Sequence, residues 1–293
     1  MTTPATDRTS RVGVRRGLRT TSLAFLLLAS LSIVLVSCGG PDAVSGANPA
    51  KQLSQTAAFT RARSPFAYTL TLLTEDGAGV PYNQVTRGIY DSELDRAALE
   101  VVTIGEGLTN FTAATMIDKA ARLLVVINGD EALIRVDIEG GDDGPWTPLD
   151  GPPGEGPTAS GSIAILNAAL VGDVTRVSQV GDIGATEIAG AATTQYRIPA
   201  PTTDVSPFLP TQVQSQLTNL GFGRDQVATN TTIDIWLDAD GVTHRISIDY
   251  LPLITRLTSL GFSDGAEITH YQLVWEVEQF GDVVIDVPAT DPS

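Results

Sequence analysis

Along residues 66–72 every second side chain is large and apolar: Phe66, Tyr68, Leu70 and Leu72 alternate with Ala67, Thr69 and Thr71. Successive side chains of a strand point to opposite faces, so this spacing predicts a strand with one buried face; a helix would scatter the same residues around its circumference. Residues 122–127 and 131–138 flank Asn128-Gly129, a dipeptide that tolerates positive φ at both central positions of a two-residue turn, which predicts a β-hairpin. In its second strand Ile134, Val136 and Ile138 are expected on the buried face, and Leu133, Arg135 and Asp137 on the other. A second hairpin is expected from residues 232–238 and 242–250 around Ala239-Asp240-Gly241, and residues 269–277 and 283–287 supply the last strands. The expectation is nine or ten strands with few helices.

The helices are short and follow punctuation. Asn48-Pro49 reads as an N-cap followed by proline at the first helical position, and the helix it opens must end before Pro65. Glycine and proline density over residues 140–157 predicts a long loop carrying Trp146. An amphipathic helix over roughly 160–171 follows, with Ile163, Leu166 and Leu170 at three- and four-residue spacing and Gly172 as a stop. Leu209-Pro210 leads to Leu217-Thr218-Asn219-Leu220-Gly221-Phe222, and Leu251-Pro252 leads to Leu257-Thr258-Ser259-Leu260-Gly261-Phe262. Each pair reads as a short helix with proline at its start and glycine at its cap, set between strands to cover the sheet or to shape the mouth of a cavity. One domain over residues 48–293 is expected.

The first 37 residues carry a different signature. Five arginines (Arg8, Arg11, Arg15, Arg16, Arg19) precede residues 23–36, which contain nothing more polar than serine. Fourteen helical residues rise roughly 21 Å, short of the ~30 Å hydrocarbon core, so a removable export signal fits better than a permanent span. It ends in Leu35-Val36-Ser37-Cys38, which looks like a bacterial lipobox, with Cys38 as the residue that receives a diacylglyceryl group. Cys38 is the only cysteine of the chain, so it has no disulfide partner within it, and lipidation would remove a reactive thiol from an oxidising compartment. Paired acyl chains anchor stably where one chain binds only marginally. Residues 39–47 (GGPDAVSGA) read as a flexible spacer with a reach of roughly 15 to 18 Å. The expected location is the extracytoplasmic face of the cell membrane.

Loss of residues 1–37 removes five arginines and Asp7, which leaves 13 basic and 33 acidic side chains and a net charge of −20. So acidic a body is expected to bind no nucleic acid and to be held near the membrane by lipid, not by charge. Catalytic patterns are absent from the sequence: it contains no G-x-S-x-G elbow, Walker A loop, G-x-G-x-x-G fingerprint or H-E-x-x-H pair. No catalytic residue, metal ligand or cofactor is therefore assigned, and the chain is not expected to be an enzyme. His244 lies among Val242 and Ile246 and is expected to be a hydrogen-bonded core histidine. Asp238, Asp240 and Gly241 resemble the start of a calcium loop but lack its later acidic ligand, so a hairpin turn is expected.

A broad apolar face on an open antiparallel sheet must be covered, and incomplete cover leaves a cavity suited to an acyl chain. Candidate lining residues fall along the chain as Phe66, Tyr68 and Leu70, then Ile134 and Val136, then Leu166 and Leu170. Val213 and Leu217 follow, and Trp236, Tyr271 and Trp275 complete the set. Large side chains such as Trp236, Tyr271 and Trp275 decide between two outcomes: directed inward they fill the hollow, and directed outward they leave room.

The order of short motifs resembles a known family. After the lipobox and spacer come Asp143-Gly144-Pro145-Trp146, Ile165-Leu166-Asn167-Ala168-Ala169-Leu170 and Ala189-Gly190 leading to Thr194-Gln195-Tyr196-Arg197. Ile235-Trp236-Leu237-Asp238-Ala239-Asp240-Gly241 and a closing Phe280-Gly281-Asp282-Val283-Val284-Ile285-Asp286-Val287-Pro288 complete the run. Over residues 60–288 this resembles the LppX/LprAFG family of actinobacterial envelope lipoproteins. The resemblance implies a LolA- and LolB-like half-barrel of antiparallel strands with helices covering its concave face. It also implies a role in binding and transferring or presenting lipids or lipoglycans, with an envelope transport partner taking or giving the cargo. The segment 251–262 departs from the family pattern. Two other readings fit the residues: a non-catalytic envelope sensor or protein-interaction module without a cavity, and a hydrolase using paired carboxylates.

Overall fold

The structure, a computed structural model, describes residues 49–79, 81–104, 122–137, 144–149, 157–180, 186–208, 229–260 and 267–288. The signal, the lipobox with Cys38, the spacer, Ile138, Val213 and Leu217 lie outside the described residues. The chain opens with α1 (Pro49–Arg61), then β1 (Phe66–Asp76), β2 (Pro81–Asp91), β3 (Arg96–Ile104), β4 (Arg122–Asn128), β5 (Glu131–Asp137) and β6 (Thr147–Pro148). A 3-10 helix (Ser160–Asn167) runs into α2 (Ala168–Val171), and a 3-10 turn (Val174–Arg176) follows. The second half holds β7 (Ser178–Gln179), β8 (Thr186–Ile188), β9 (Ala191–Pro201), α3 (Thr202–Val205), β10 (Asn230–Leu237), β11 (Thr243–Asp249), α4 (Leu251–Ser259) and β12 (Ile268–Phe280).

All twelve strands belong to one curved antiparallel sheet that does not close into a barrel, as the alternating pattern and the hairpins predict. Its order is β6-β5-β4-β3-β2-β1-β12-β11-β10-β9-β7, with β8 beside β9. The first and last long strands therefore meet in the middle, with Phe66 opposite Phe280 and Leu70 opposite Trp275. Both ends of the path are two-residue strands, one of them containing Pro148, and so short an edge offers little template for further pairing.

One face of the sheet is covered. α1 lays the stripe Leu53, Thr56, Ala57 and Thr60 on it at helical spacing, and α4 does the same with Leu253, Ile254 and Leu257. Proline stands in the first turn of α4, as expected. Between them the 160–171 segment crosses β2, β3 and β11.

Four local expectations are corrected. The two loop residues of the β4–β5 hairpin are Gly129 and Asp130, because Asn128 pairs with Glu131; only Gly129 has positive φ, at 60°. The 160–171 segment is 3-10 over its first eight residues, with three residues per turn in place of 3.6. A kink at Ile163 (φ −119°, ψ 23°) interrupts it; Ile163, Leu166 and Ala169 are buried, whereas Leu170, in the α-helical turn that follows, is 50% exposed. Gly172 has an extended backbone (φ −78°, ψ 160°), and a Cβ there would fall against the Ile198 side chain, so close packing and not a left-handed cap requires glycine. Residues 283–287 are not a strand: the chain turns away through Asp282 and Gly281, both at positive φ, and Val284 is 76% exposed.

Gly88 of β2 shows how closely the cover is fitted. The Tyr68 ring lies across β2 at this position, where a Cβ would overlap it, and the Tyr68 hydroxyl donates to the carbonyl of Ser162 at 2.8 Å. Gly88→Ala is expected to lower the unfolding free energy by about 1–3 kcal/mol through overpacking, measured by urea denaturation. An unchanged midpoint would show that the ring has room to move aside.

Candidate functional site

The strand registers sort the covered face into lateral rows. In the first, Phe66, Tyr90, Ala97, Ile127 and Ala132 stand side by side across β1 to β5, and all are buried. Two residues further along each strand, Tyr68, Gly88, Leu99, Val125 and Ile134 form a second buried row, lying under the 3-10 helix. The third row is Leu70, Thr86, Val101, Leu123 and Val136, and here the cover by the described helices gives out. The first four are half-buried and Val136 is 49% exposed. Trp275 of β12, opposite Leu70, heads this row and is fully buried.

The inner face of the other half is closed. Ile246, Ile248, Ile233, Ile235 and Ile198 are buried beside Trp275 and Leu273. Aromatic rings fill the centre: Phe66 contacts Tyr68, Tyr90, Phe280 and Trp275, the last edge-on with centroids 6.2 Å apart. Tyr250 meets Tyr271 edge-on at 6.4 Å and donates its hydroxyl to the Val205 carbonyl at 2.7 Å. Burial pushes the hydroxyls of Tyr68 and Tyr250 well above the ordinary tyrosine range. Both act as neutral donors that fix side chains.

The sequence candidates thus separate. Phe66, Tyr68, Ile134, Leu166, Tyr271 and Trp275 are packed into the inner core, with Leu70 at its margin. Val136 is on the inner face as expected but open to solvent, because it stands in the row the cover does not reach. Leu170 points outward for the reason given above. Trp236 sits on the outer face, stacked against Arg245 at 5.4 Å, and Arg245 in turn pairs with Glu276. Its place on β10 follows from the pleat: Ile233, Ile235 and Leu237 take the inner positions.

The third row was hidden in the sequence, since Thr86, Val101 and Leu123 carry no mark of their own. In β2 the outer set includes Val85 and Ile89, whereas the inner set includes Gln84, Thr86 and Gly88, so hydrophobicity alone points to the wrong face. Only registration against β1 reveals it.

Polar groups on the inner side are few. His244 is buried, as expected, with Nε2 at 3.0 Å from Asp238 Oδ2 and its ring edge-on to Phe280. Asp238 Oδ1 accepts from the backbone N–H groups of Asp240 and Val242, so this carboxylate holds the β10–β11 turn. The turn is fastened to α1: the Thr243 N–H donates to Thr60 Oγ1 at 2.8 Å, and Arg63 pairs with Asp240 at 2.7 Å. The indole N–H of Trp275 is buried and has no acceptor among the described residues. Among the described residues no group of three or more His, Cys, Asp or Glu is placed to hold a metal ion. No helix among them is long and apolar enough to cross a membrane.

The geometry defines a class: an open, curved antiparallel sheet with short helices over its inner face and one apolar row left half-covered. No protein-family model matches the chain, and the search of curated proteins finds no match. Among solved structures, the Pseudomonas aeruginosa MucA/MucB complex aligns with 80% of this chain at 12% identity and a TM-score of 0.32. The chain spans 57% of the length of that matched chain.

The cover makes a quantitative distinction. Leu166→Ala should cost about 2–5 kcal/mol, as a cavity under the 3-10 helix, whereas Leu170→Ala should stay within about 0.5 kcal/mol. Thermal unfolding of both variants checks this; equal losses would contradict the 3-10 register of the segment.

Proposed function

We propose that the protein is an envelope lipoprotein, anchored through Cys38 at the extracytoplasmic face of the membrane, that binds lipid on the inner face of its sheet and transfers or presents it. The observation that carries this reading is the third row. Its aliphatic side chains stand half-covered beside a closed core, on a chain whose first 38 residues have the form of a lipoprotein export signal. Each methylene buried there contributes about 0.8 kcal/mol relative to water, which offsets much of the cost of holding an acyl chain outside the bilayer.

The spacer joins α1 directly, and α1 is fastened to the β10–β11 turn, so the tether holds the domain by one corner. A net charge of −20 sets the body away from anionic headgroups. Cargo exchange then takes place within the reach of the spacer or through an envelope partner that receives the lipid.

A second reading has an observation of its own. Trp275, Tyr68 and Tyr271 are directed inward and occupy the centre of the hollow, which is what a non-catalytic interaction or sensor module without a ligand would do. One experiment separates the two. The chain beginning at residue 39 is purified without detergent, extracted with organic solvent and analysed by mass spectrometry. Co-purified lipid near one equivalent per chain is expected; none would reject the carrier in favour of the interaction module. Cys38→Ser in the full chain should release the protein from membranes, and continued membrane retention would reject the anchor.

A further inference from the structure

The outer face of the sheet carries a charge pattern that the proposed lipid site does not use. Counted outward from β1, the strand order places β12, β11, β10 and β9 on one side and β2, β3, β4 and β5 on the other. The registers centre one outer row on Thr69, with Glu276 and Arg245 to one side and Arg87 and Glu100 to the other. Trp236 and Leu124 continue this row outward, and Gln195 and Arg135 end it. Two residues further along the strands, Thr71 lies between Val274 and Val85, with Ser247 and Val102 beyond them. Asp234 and Arg197 close that second row at one end, and Arg122 and Asp137 close it at the other.

The sign of the charge reverses across β1. One strand out, Glu276 on β12 matches Arg87 on β2; two strands out, Arg245 on β11 matches Glu100 on β3. Three strands out, Asp234 on β10 matches Arg122 on β4, and four out, Arg197 on β9 matches Asp137 on β5. Val274 matches Val85, and Trp236 matches Leu124; Arg135 alone among the charged members meets a neutral residue, Gln195. A pattern that is antisymmetric about a line is complementary to itself after a half turn about that line. The two rows hold five arginines against four acids, a net of +1, on a body of net charge −20. A second copy of so acidic a body is repelled in general, but not by this face.

We infer that two copies of the chain pair outer face to outer face about a two-fold axis running along β1. The contact is isologous, so each of the four matched charge pairs forms twice, and the strands of the two copies align as in face-to-face sheets. Within one chain Glu276 already pairs with Arg245, Glu100 with Arg87 and Arg122, and Asp234 with Arg197. The arginines are the outermost members: Arg87 is 56% and Arg122 52% exposed, against 22% for Glu100 between them. A guanidinium has five N–H donors, enough for a carboxylate in its own chain and one in the facing copy. Two rows across nine strands cover roughly 38 Å by 14 Å, about 500 Å² per copy, below the ~800 Å² per partner of a standard interface. The pair is therefore weak in free solution and is strengthened where both copies are confined to one surface. A half turn about an axis along the strands keeps both α1 starts at the same end, so both spacers leave toward one bilayer. That strengthening rests on the proposed anchor at Cys38; the complementarity of the faces does not.

The test uses the full, anchored chain in phosphatidylcholine vesicles, and co-sedimentation with the vesicles reads the anchor separately. Cys38 is the only native cysteine, so an introduced cysteine is a single added site and the unaltered chain gives the background. Thr71 lies on the axis, opposite its own counterpart, and facing sheets lie about 10 Å apart. Thr71→Cys with a bis-maleimide of about that span should cross-link to dimers at least about 10-fold faster than Ser54→Cys, which is exposed on α1 over the other face. Added to Thr71→Cys, Arg87→Glu sets like charges together at two symmetric places, and Glu276→Arg does the same. Each should slow cross-linking by about 10-fold. Mixing the two variants should restore it, because the introduced glutamate of one copy meets the introduced arginine of the other while the native Glu276 and Arg87 still meet.

Thr71→Cys cross-linking no faster than Ser54→Cys would overturn the pairing, and this comparison keeps the native charges, so it decides even where a charge variant fails to fold. Fast cross-linking that neither charge variant slows, or that the mixture does not restore between folded variants, would overturn the two-fold register along β1.

Discussion

The pairing of β1 with β12 holds the two halves of this molecule together. Every other long ladder joins strands that are neighbours in the chain: β1 to β2, β3, β4 and β5 in one series, β9 to β10, β11 and β12 in the other. Such ladders form locally, by hairpin closure, and each series alone would leave a strand edge and an apolar face in water. Bringing residue 66 beside residue 280 costs the entropy of closing a loop of some two hundred residues, a cost that rises only slowly with loop length. The aromatic cluster of Phe66, Tyr68, Tyr90, Trp275 and Phe280 lies at this seam and offsets it, since rings of that size bury large areas and contact one another edge-on. The same cluster that joins the halves also fills the middle of the hollow. Whatever room the inner face offers a ligand must therefore lie to one side of it, and the half-covered row from Leu70 to Val136 lies there.

The fold class was legible because it depends on period and punctuation. Alternation in β1, the glycines at positive φ in the β4–β5 and β10–β11 turns, and the proline-led starts of α1 and α4 are local signals, and the structure uses each of them. Less legible was anything set by registration. Nothing in the sequence of β2 announces that Thr86 and Gly88 face inward while Val85 and Ile89 face out, because the inner positions are small where the Tyr68 ring crosses them. Trp236 likewise looks like core in a list of large apolar residues, yet the alternation of Ile233, Ile235 and Leu237 assigns the inner positions to them and sends the indole outward against Arg245. Leu170 fails for a different reason: its spacing fits one continuous 3.6-residue helix, and the segment is a kinked 3-10 stretch joined to a single α-helical turn.

The candidate site inherits these limits. Ten of the twelve residues picked for their hydrophobicity fall among the described residues, and most of those are structural: they pack the seam and the space beneath the helices. The side chains that matter for the proposed cargo are a mixture of sequence candidates, Leu70 and Val136, and the unremarked Thr86, Val101 and Leu123 between them. A row of this kind crosses five strands, so its members are separated by up to 66 positions along the chain from Leu70 to Val136 and share no motif. Physical selection acts on the row as a surface, and a single sequence shows it only one residue at a time.

The most direct test of this account is a crystal structure of the protein isolated from its own membranes with no added lipid. The account predicts continuous elongated density along Leu70, Thr86, Val101, Leu123 and Val136. A row sealed by the chain's own side chains, with no density beside it, would contradict it.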